Sequence, residues 1–123
     1  MSSNIAVIGA GSWGTALANV LAQNGESVNI YARDKDVVDS INQQQRNFKY
    51  FPEHKLNKAL TAFNNLEQSL KNSDVVVISV PTQALTAVLE QSKSLINSDA
   101  VIVSTAKGID ENSFKTNFIF FFI

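Results

Sequence analysis

A chain of 123 residues, 45% of them hydrophobic, with ten basic against eleven acidic side chains and a formal charge of -1, has material for one hydrophobic core. The even charge, gathered into no basic patch, excludes the footprint of a nucleic-acid binder, and the absence of cysteine excludes a disulfide frame or a thiolate metal site. Met1-Ser-Ser-Asn4 leads straight into an apolar run with no basic n-region or separate h-region, so a cytoplasmic location is expected.

The first element is a strand over residues 4 to 8, and it runs into Gly9-Ala-Gly-Ser-Trp-Gly14 and then a small-residue helix, Thr15 to Asn24. Three glycines at this spacing, between a strand and a helix, are what a dinucleotide-binding turn requires. Gly9 makes the tight turn, Gly11 lets backbone approach a pyrophosphate, and Gly14 lets the helix lie close to the strand. The amides opening the helix, at the positive end of its dipole, supply the anion site. Asn24-Gly25 is a helix stop.

A second strand, Val28 to Tyr31, follows, then a polar helix from Asp34 to Gln45 with Val37, Val38 and Ile41 on one face. Arg46 to His54 breaks the periodicity with aromatics and a proline and is expected to be a loop. Leu60 to Phe63 is a weak strand, and Leu66 to Lys71 a short helix. Val75-Val-Val-Ile-Ser-Val80 is a β-branched run of the kind a parallel strand buried on both faces needs, and Pro81 ends it. Thr82 caps a helix reaching about Leu95, and Ala100 to Ser104 is another buried strand. No internal repeat of solenoid length occurs. Alternating strands and helices predict an α/β fold of Rossmann type, a parallel sheet with helices on both faces, incomplete at the C-terminus.

Some side chains carry chemistry by position. Arg33 lies just past the second strand, where NAD-specific folds place an acid for the ribose hydroxyls and NADP-binding folds use an arginine. Its guanidinium suits a 2′-phosphate or adenine stacking, against the alternative of a solvated surface residue. Asp34, one position on, keeps a ribose hydroxyl in reach, so both NADPH and NADH stay open as cofactors. Lys107 stands just past the C-terminal end of a buried strand, the edge where open α/β sheets bind ligands. Trp13 is either part of the cofactor turn or a core aromatic, and Tyr50 either a cofactor contact or loop packing. Pro81 shapes the cleft wall, and His54 has no partner at a telling spacing and reads as a surface loop residue.

Gly9-Ala-Gly-Ser-Trp-Gly-Thr-Ala-Leu-Ala18, Tyr31-Ala-Arg-Asp34, Tyr50-Phe-Pro52, Ser79-Val-Pro81 and Ala106-Lys-Gly-Ile109, in this order, resemble the NAD(P)-dependent glycerol-3-phosphate dehydrogenases of the bacterial type. The Ser-Trp pair and the Ala-Lys-Gly-Ile stretch make the resemblance specific, and it covers residues 4 to 112. It implies an oxidoreductase that interconverts dihydroxyacetone phosphate and sn-glycerol 3-phosphate with NADPH or NADH, feeding phospholipid synthesis. It assigns Gly9, Gly11, Ser12, Trp13, Gly14, Arg33, Tyr50 and Lys107 to cofactor binding, and Lys107 also to substrate.

The family is more than twice this length, and its second domain supplies the general acid or base lysine and most substrate contacts. No catalytic residue and no metal ligand is therefore expected here, and the chain is expected to be inactive alone. Residues 1 to 116 read as the cofactor-binding domain. Residues 117 to 123, Asn-Phe-Ile-Phe-Phe-Phe-Ile, read as an apolar tail outside the family pattern, far shorter than the roughly 20 residues a membrane span needs. A free-standing nicotinamide-nucleotide module and a non-functional truncated product are the alternatives.

Overall fold

The computed structural model describes residues 3–105 and 119–122. Among the described residues, six strands and four helices follow in the order β1 (Asn4–Ile8), α1 (Ser12–Gln23), β2 (Ser27–Tyr31), α2 (Lys35–Gln44), β3 (Leu60–Phe63), α3 (Leu66–Leu70), β4 (Val75–Ile78), α4 (Thr82–Ser92), β5 (Val101–Ser104) and β6 (Ile119–Phe122). They form one sheet in the order β3-β2-β1-β4-β5-β6. Every neighbouring pair is parallel, with Ile8 opposite Tyr31 on one side and Ile78 on the other.

The pleat explains why β1 and β4 are apolar throughout. Ile5 and Val7 point to one face with Val28, Ile30 and Val77, against Ala18 and Ala22 of α1 and Val37, Val38 and Ile41 of α2. Ala6 and Ile8 point to the other with Val76, Ile78 and Ile102, against Leu70 of α3 and Leu85 and Leu89 of α4. A strand covered on both faces has no solvent side for a polar residue, hence the unbroken Val75-Val-Val-Ile78. At the β3 edge, Asn42 donates to the Ala62 carbonyl at 2.9 Å and accepts from the Ala62 amide at 2.8 Å. One side chain thereby stands in for a strand partner and blunts the exposed ladder.

Several boundaries differ from those expected. Helix α1 begins at Ser12 rather than Thr15, since Gly11 is its N-cap, so Ser12 and Trp13 are helical residues rather than part of the turn. Gly25, just past the Asn24 cap, has φ +93, as the stop requires. Strand β4 ends at Ile78 and not Val80: Ser79 donates to the Ile8 carbonyl at 2.8 Å, but its own carbonyl lies against Gly9 instead of continuing the ladder. Pro81, rather than Thr82, holds the N-cap position of α4, and that helix ends at Ser92. Part of the Phe-rich run, Ile119–Phe122, continues the sheet as β6, with Val101 opposite Ile119.

Ile8 is fully buried at the centre of the sheet, whereas Val20 on α1 is 51% exposed. Ile8→Ala should cost about 2–5 kcal/mol and lower Tm by on the order of 10 °C. Val20→Ala should stay within about 0.5 kcal/mol. Equal melting shifts for the two would contradict this placement of the core.

Candidate functional site

The strand order reverses direction around β1: the chain moves outward through β2 and β3, then returns to place β4 on the other side. The crevice beyond the carboxyl ends of β1 and β4 is where sheets of this kind bind ligands. Two segments line it, the turn after β1 and Ser79-Val-Pro81 after β4.

The turn is packed to the limit of backbone approach. Gly9 has φ +116, and a Cβ there would sit 2.1 Å from the Ser79 carbonyl oxygen. A Cβ on Gly14 would sit 2.1 Å from the Gly9 carbonyl oxygen and 3.3 Å from Ser79 Oγ. No side chain fits at either position. Gly11 is the opposite case, with nothing within 4 Å of where a Cβ would point. Its role cannot be internal packing; the room lies on the open side of the turn.

Gly11 caps α1 without a side chain, and the first turn of the helix carries no acidic residue. The Thr15 amide already bonds the Gly11 carbonyl at 3.0 Å. The amides of Gly11, Ser12, Trp13 and Gly14 precede the first residue that an α-helix satisfies internally. Donors, a positive dipole end and open space coincide here, which is what a pyrophosphate needs. These residues therefore fit a dinucleotide.

Trp13 is 57% exposed, so the alternative of a core aromatic is excluded. Tyr50 is 43% exposed, and its carbonyl accepts from Ser12 Oγ at 2.8 Å, placing the Arg46–His54 loop against the first turn of α1. His54 is exposed and stacks on Phe51, with ring centroids 4.8 Å apart. Arg33 is exposed at the end of β2, and its carbonyl accepts from Asn64 Nδ2 at 3.2 Å. Lys107 lies outside the described residues.

Asp34 is committed locally. Its Oδ1 accepts from the Asp36 amide at 2.9 Å as the cap of α2, and its Oδ2 pairs with Lys49 Nζ at 3.2 Å. The Asp36 amide, and next the Lys49 ammonium, hold its carboxyl below the ordinary aspartate value of about 3.9. Asp34 thus caps α2 and holds Lys49, where the sequence left a direct ribose contact open.

Two participants escaped sequence reasoning. Ser79 supplies the backbone surface against which Gly9 packs, although its Ser-Val-Pro context was noted only as a pattern. Asn47 is fully buried and bonds the Ala10 carbonyl and Thr15 Oγ1, both at 2.9 Å. The available signal was an Asn opening an aromatic loop, a residue type that bonds backbone two and three positions on.

The family profile described as NAD-dependent glycerol-3-phosphate dehydrogenase N-terminus matches residues 4–118. A glycerol-3-phosphate dehydrogenase [NAD(P)+] of Halothermothrix orenii is 44% identical over 117 residues, which are 95% of this chain and 34% of that protein. The corresponding protein of Carboxydothermus hydrogenoformans is 41% identical over 91% of this chain and 33% of its own length. Among solved structures, glycerol-3-phosphate dehydrogenase of Coxiella burnetii superposes with a TM-score of 0.81 at 35% identity, covering 90% of this chain and 34% of that one. The chain spans about a third of the length of the curated relatives it matches.

Since the folded carboxyl of Asp34 is depressed, its capping and pairing interactions are present above the unfolded value and lost as pH falls through the folded one. Carboxyl titration by NMR should find Asp34 below about 3.9 in the parent, and higher but still depressed in Lys49→Ala, because the larger cause, the Asp36 amide, remains. An unshifted Asp34 in the parent would contradict the cap.

Proposed function

This chain belongs to the NAD-dependent glycerol-3-phosphate dehydrogenase family as its N-terminal, NAD-binding domain, and from that premise we propose that it holds the nicotinamide dinucleotide with which dihydroxyacetone phosphate is reduced to sn-glycerol 3-phosphate. The observation that carries the reading is the asymmetry of the glycine turn, closed at Gly9 and Gly14 and open at Gly11. Such a turn admits an anion on one side only.

The site residues divide the dinucleotide between them. The amides of Gly11, Ser12, Trp13 and Gly14 would hold the pyrophosphate, and the exposed Trp13 and Tyr50 would be available to the cofactor. Arg33, at the end of β2, would take the adenine ribose and its 2′ substituent. Lys107, in the family's Ala-Lys-Gly-Ile stretch, would stand near the nicotinamide and the substrate. When bound, the nicotinamide supplies the hydride. The ketone oxygen that becomes negative needs a positioned acid and an oriented substrate, contributions of about 10² to 10⁴-fold and roughly 7 to 11 kcal/mol. The described residues would hold the cofactor that delivers the hydride. We place the activity in the cytoplasm, feeding glycerophospholipid synthesis.

A 2′-phosphate distinguishes the two cofactors, and on this reading the exposed Arg33 would be the cation that meets it. Titration of the 123-residue chain with NADPH and NADH should show submillimolar binding of at least one. Arg33→Ala should weaken NADPH by about tenfold, equivalent to about 1.4 kcal/mol, with less effect on NADH. Equal losses for both would remove Arg33 from the 2′ position, and no binding of either by the parent would refute the cofactor reading.

A further inference from the structure

We propose that Asn47 is a positioning residue for the cofactor, acting by latching Tyr50 to the glycine turn; the inference rests on the reading of Tyr50 as a cofactor contact. The side chain is fully buried and all of its hydrogen-bonding capacity is used. Nδ2 donates to the Ala10 carbonyl and to Thr15 Oγ1, both at 2.9 Å. Oδ1 accepts from the amides of Lys49 at 3.3 Å and Tyr50 at 3.0 Å. Only one orientation of the amide works, since reversing it would face NH₂ against two N–H groups and an oxygen against the Ala10 carbonyl.

The two ends of this one side chain grip two different parts of the site. Ala10 lies inside the turn between Gly9 and Gly11, and Thr15 lies one residue past Gly14. Lys49 and Tyr50 belong to a loop more than 30 residues away, and Asn47 joins it to Ala10 and Thr15, 37 and 32 positions from itself. The Tyr50 carbonyl is held in turn by Ser12 Oγ at 2.8 Å. Tyr50 is therefore fixed at its amide by Asn47 and at its carbonyl by Ser12, while its ring stays exposed with Lys49 Nζ 5.4 Å from its centroid. The Phe51 amide, bonding the Asn47 carbonyl at 3.0 Å, closes the same loop. A contact group fixed before the ligand arrives loses less freedom on binding, and that difference appears as affinity.

Asparagine is demanded here by chemistry rather than size. Leucine has the volume but no donor for Ala10 and no acceptor for the two amides, and aspartate keeps the acceptor but sets an oxygen against the Ala10 carbonyl.

The test is a double-mutant cycle on NADPH affinity in the 123-residue chain, with melting curves recorded for each variant. Asn47→Ala and Tyr50→Ala should each weaken NADPH by about tenfold, and adding Asn47→Ala to Tyr50→Ala should cost less than about threefold more. Thr15→Val, which removes one of the two acceptors of Nδ2 while keeping the volume, should give a smaller loss that also vanishes in the Tyr50→Ala background; it decides the matter if Asn47→Ala does not fold. A full and additive loss in the Tyr50→Ala background would overturn the latch and leave the cofactor reading of Tyr50 standing. An unchanged affinity in Tyr50→Ala would overturn that reading, and the latch with it.

Discussion

The contact on which the site depends is a stack of backbone: the carbonyl of Ser79 against Gly9, and the carbonyl of Gly9 against Gly14. It joins the ends of β1 and β4 to the start of α1 with no side chain between them. The close approach brings the amides of α1 to the mouth of the crevice, and there the Ser79 amide still bonds Ile8 while its carbonyl turns to Gly9. Sheet, helix and anion site are set by the same few atoms.

Around that stack, polar side chains do the joining that apolar packing cannot. Asn47 ties the Tyr50 loop to the turn, Asp34 caps α2 and holds Lys49, and Asn42 completes the exposed edge of β3. The exposed pair of Asp34 and Lys49 contributes little to stability through its charges, as surface ion pairs do. Asn47 is different, because its side chain is buried and losing its bond to Ala10 would take a partner from a backbone carbonyl inside the protein.

Much of this was legible in the sequence, for identifiable reasons. Val75-Val-Val-Ile78 could only be a strand covered on both faces, and the spacing of Gly9, Gly11 and Gly14 between strand and helix carried the turn, the crevice and the family. Leu60 to Phe63, a weak signal, proved to be the edge strand β3, stabilised by Asn42 from outside the segment. Element ends were harder. Whether Ser12 and Trp13 belong to turn or helix depends on which residue caps α1, and a glycine cap leaves no side-chain signature. Asn47 was hidden for a related reason: its partners Ala10 and Thr15 are distant in sequence, and nothing in a loop of aromatics says which polar residue turns inward. Long-range hydrogen bonds leave no periodicity to read.

The central claim is a division of labour in the turn, with Gly14 required by the fold and Gly11 by the ligand. Melting curves and NADPH titrations on Gly14→Ala and Gly11→Val measure it most directly. For Gly14→Ala, a methyl forced against the Gly9 carbonyl should cost about 1–3 kcal/mol of stability. For Gly11→Val, the open surroundings should keep the loss within about 1 kcal/mol, while NADPH binding weakens at least about tenfold. A Gly14→Ala chain that melts like the parent, or a Gly11→Val chain that binds NADPH like the parent, would contradict the account.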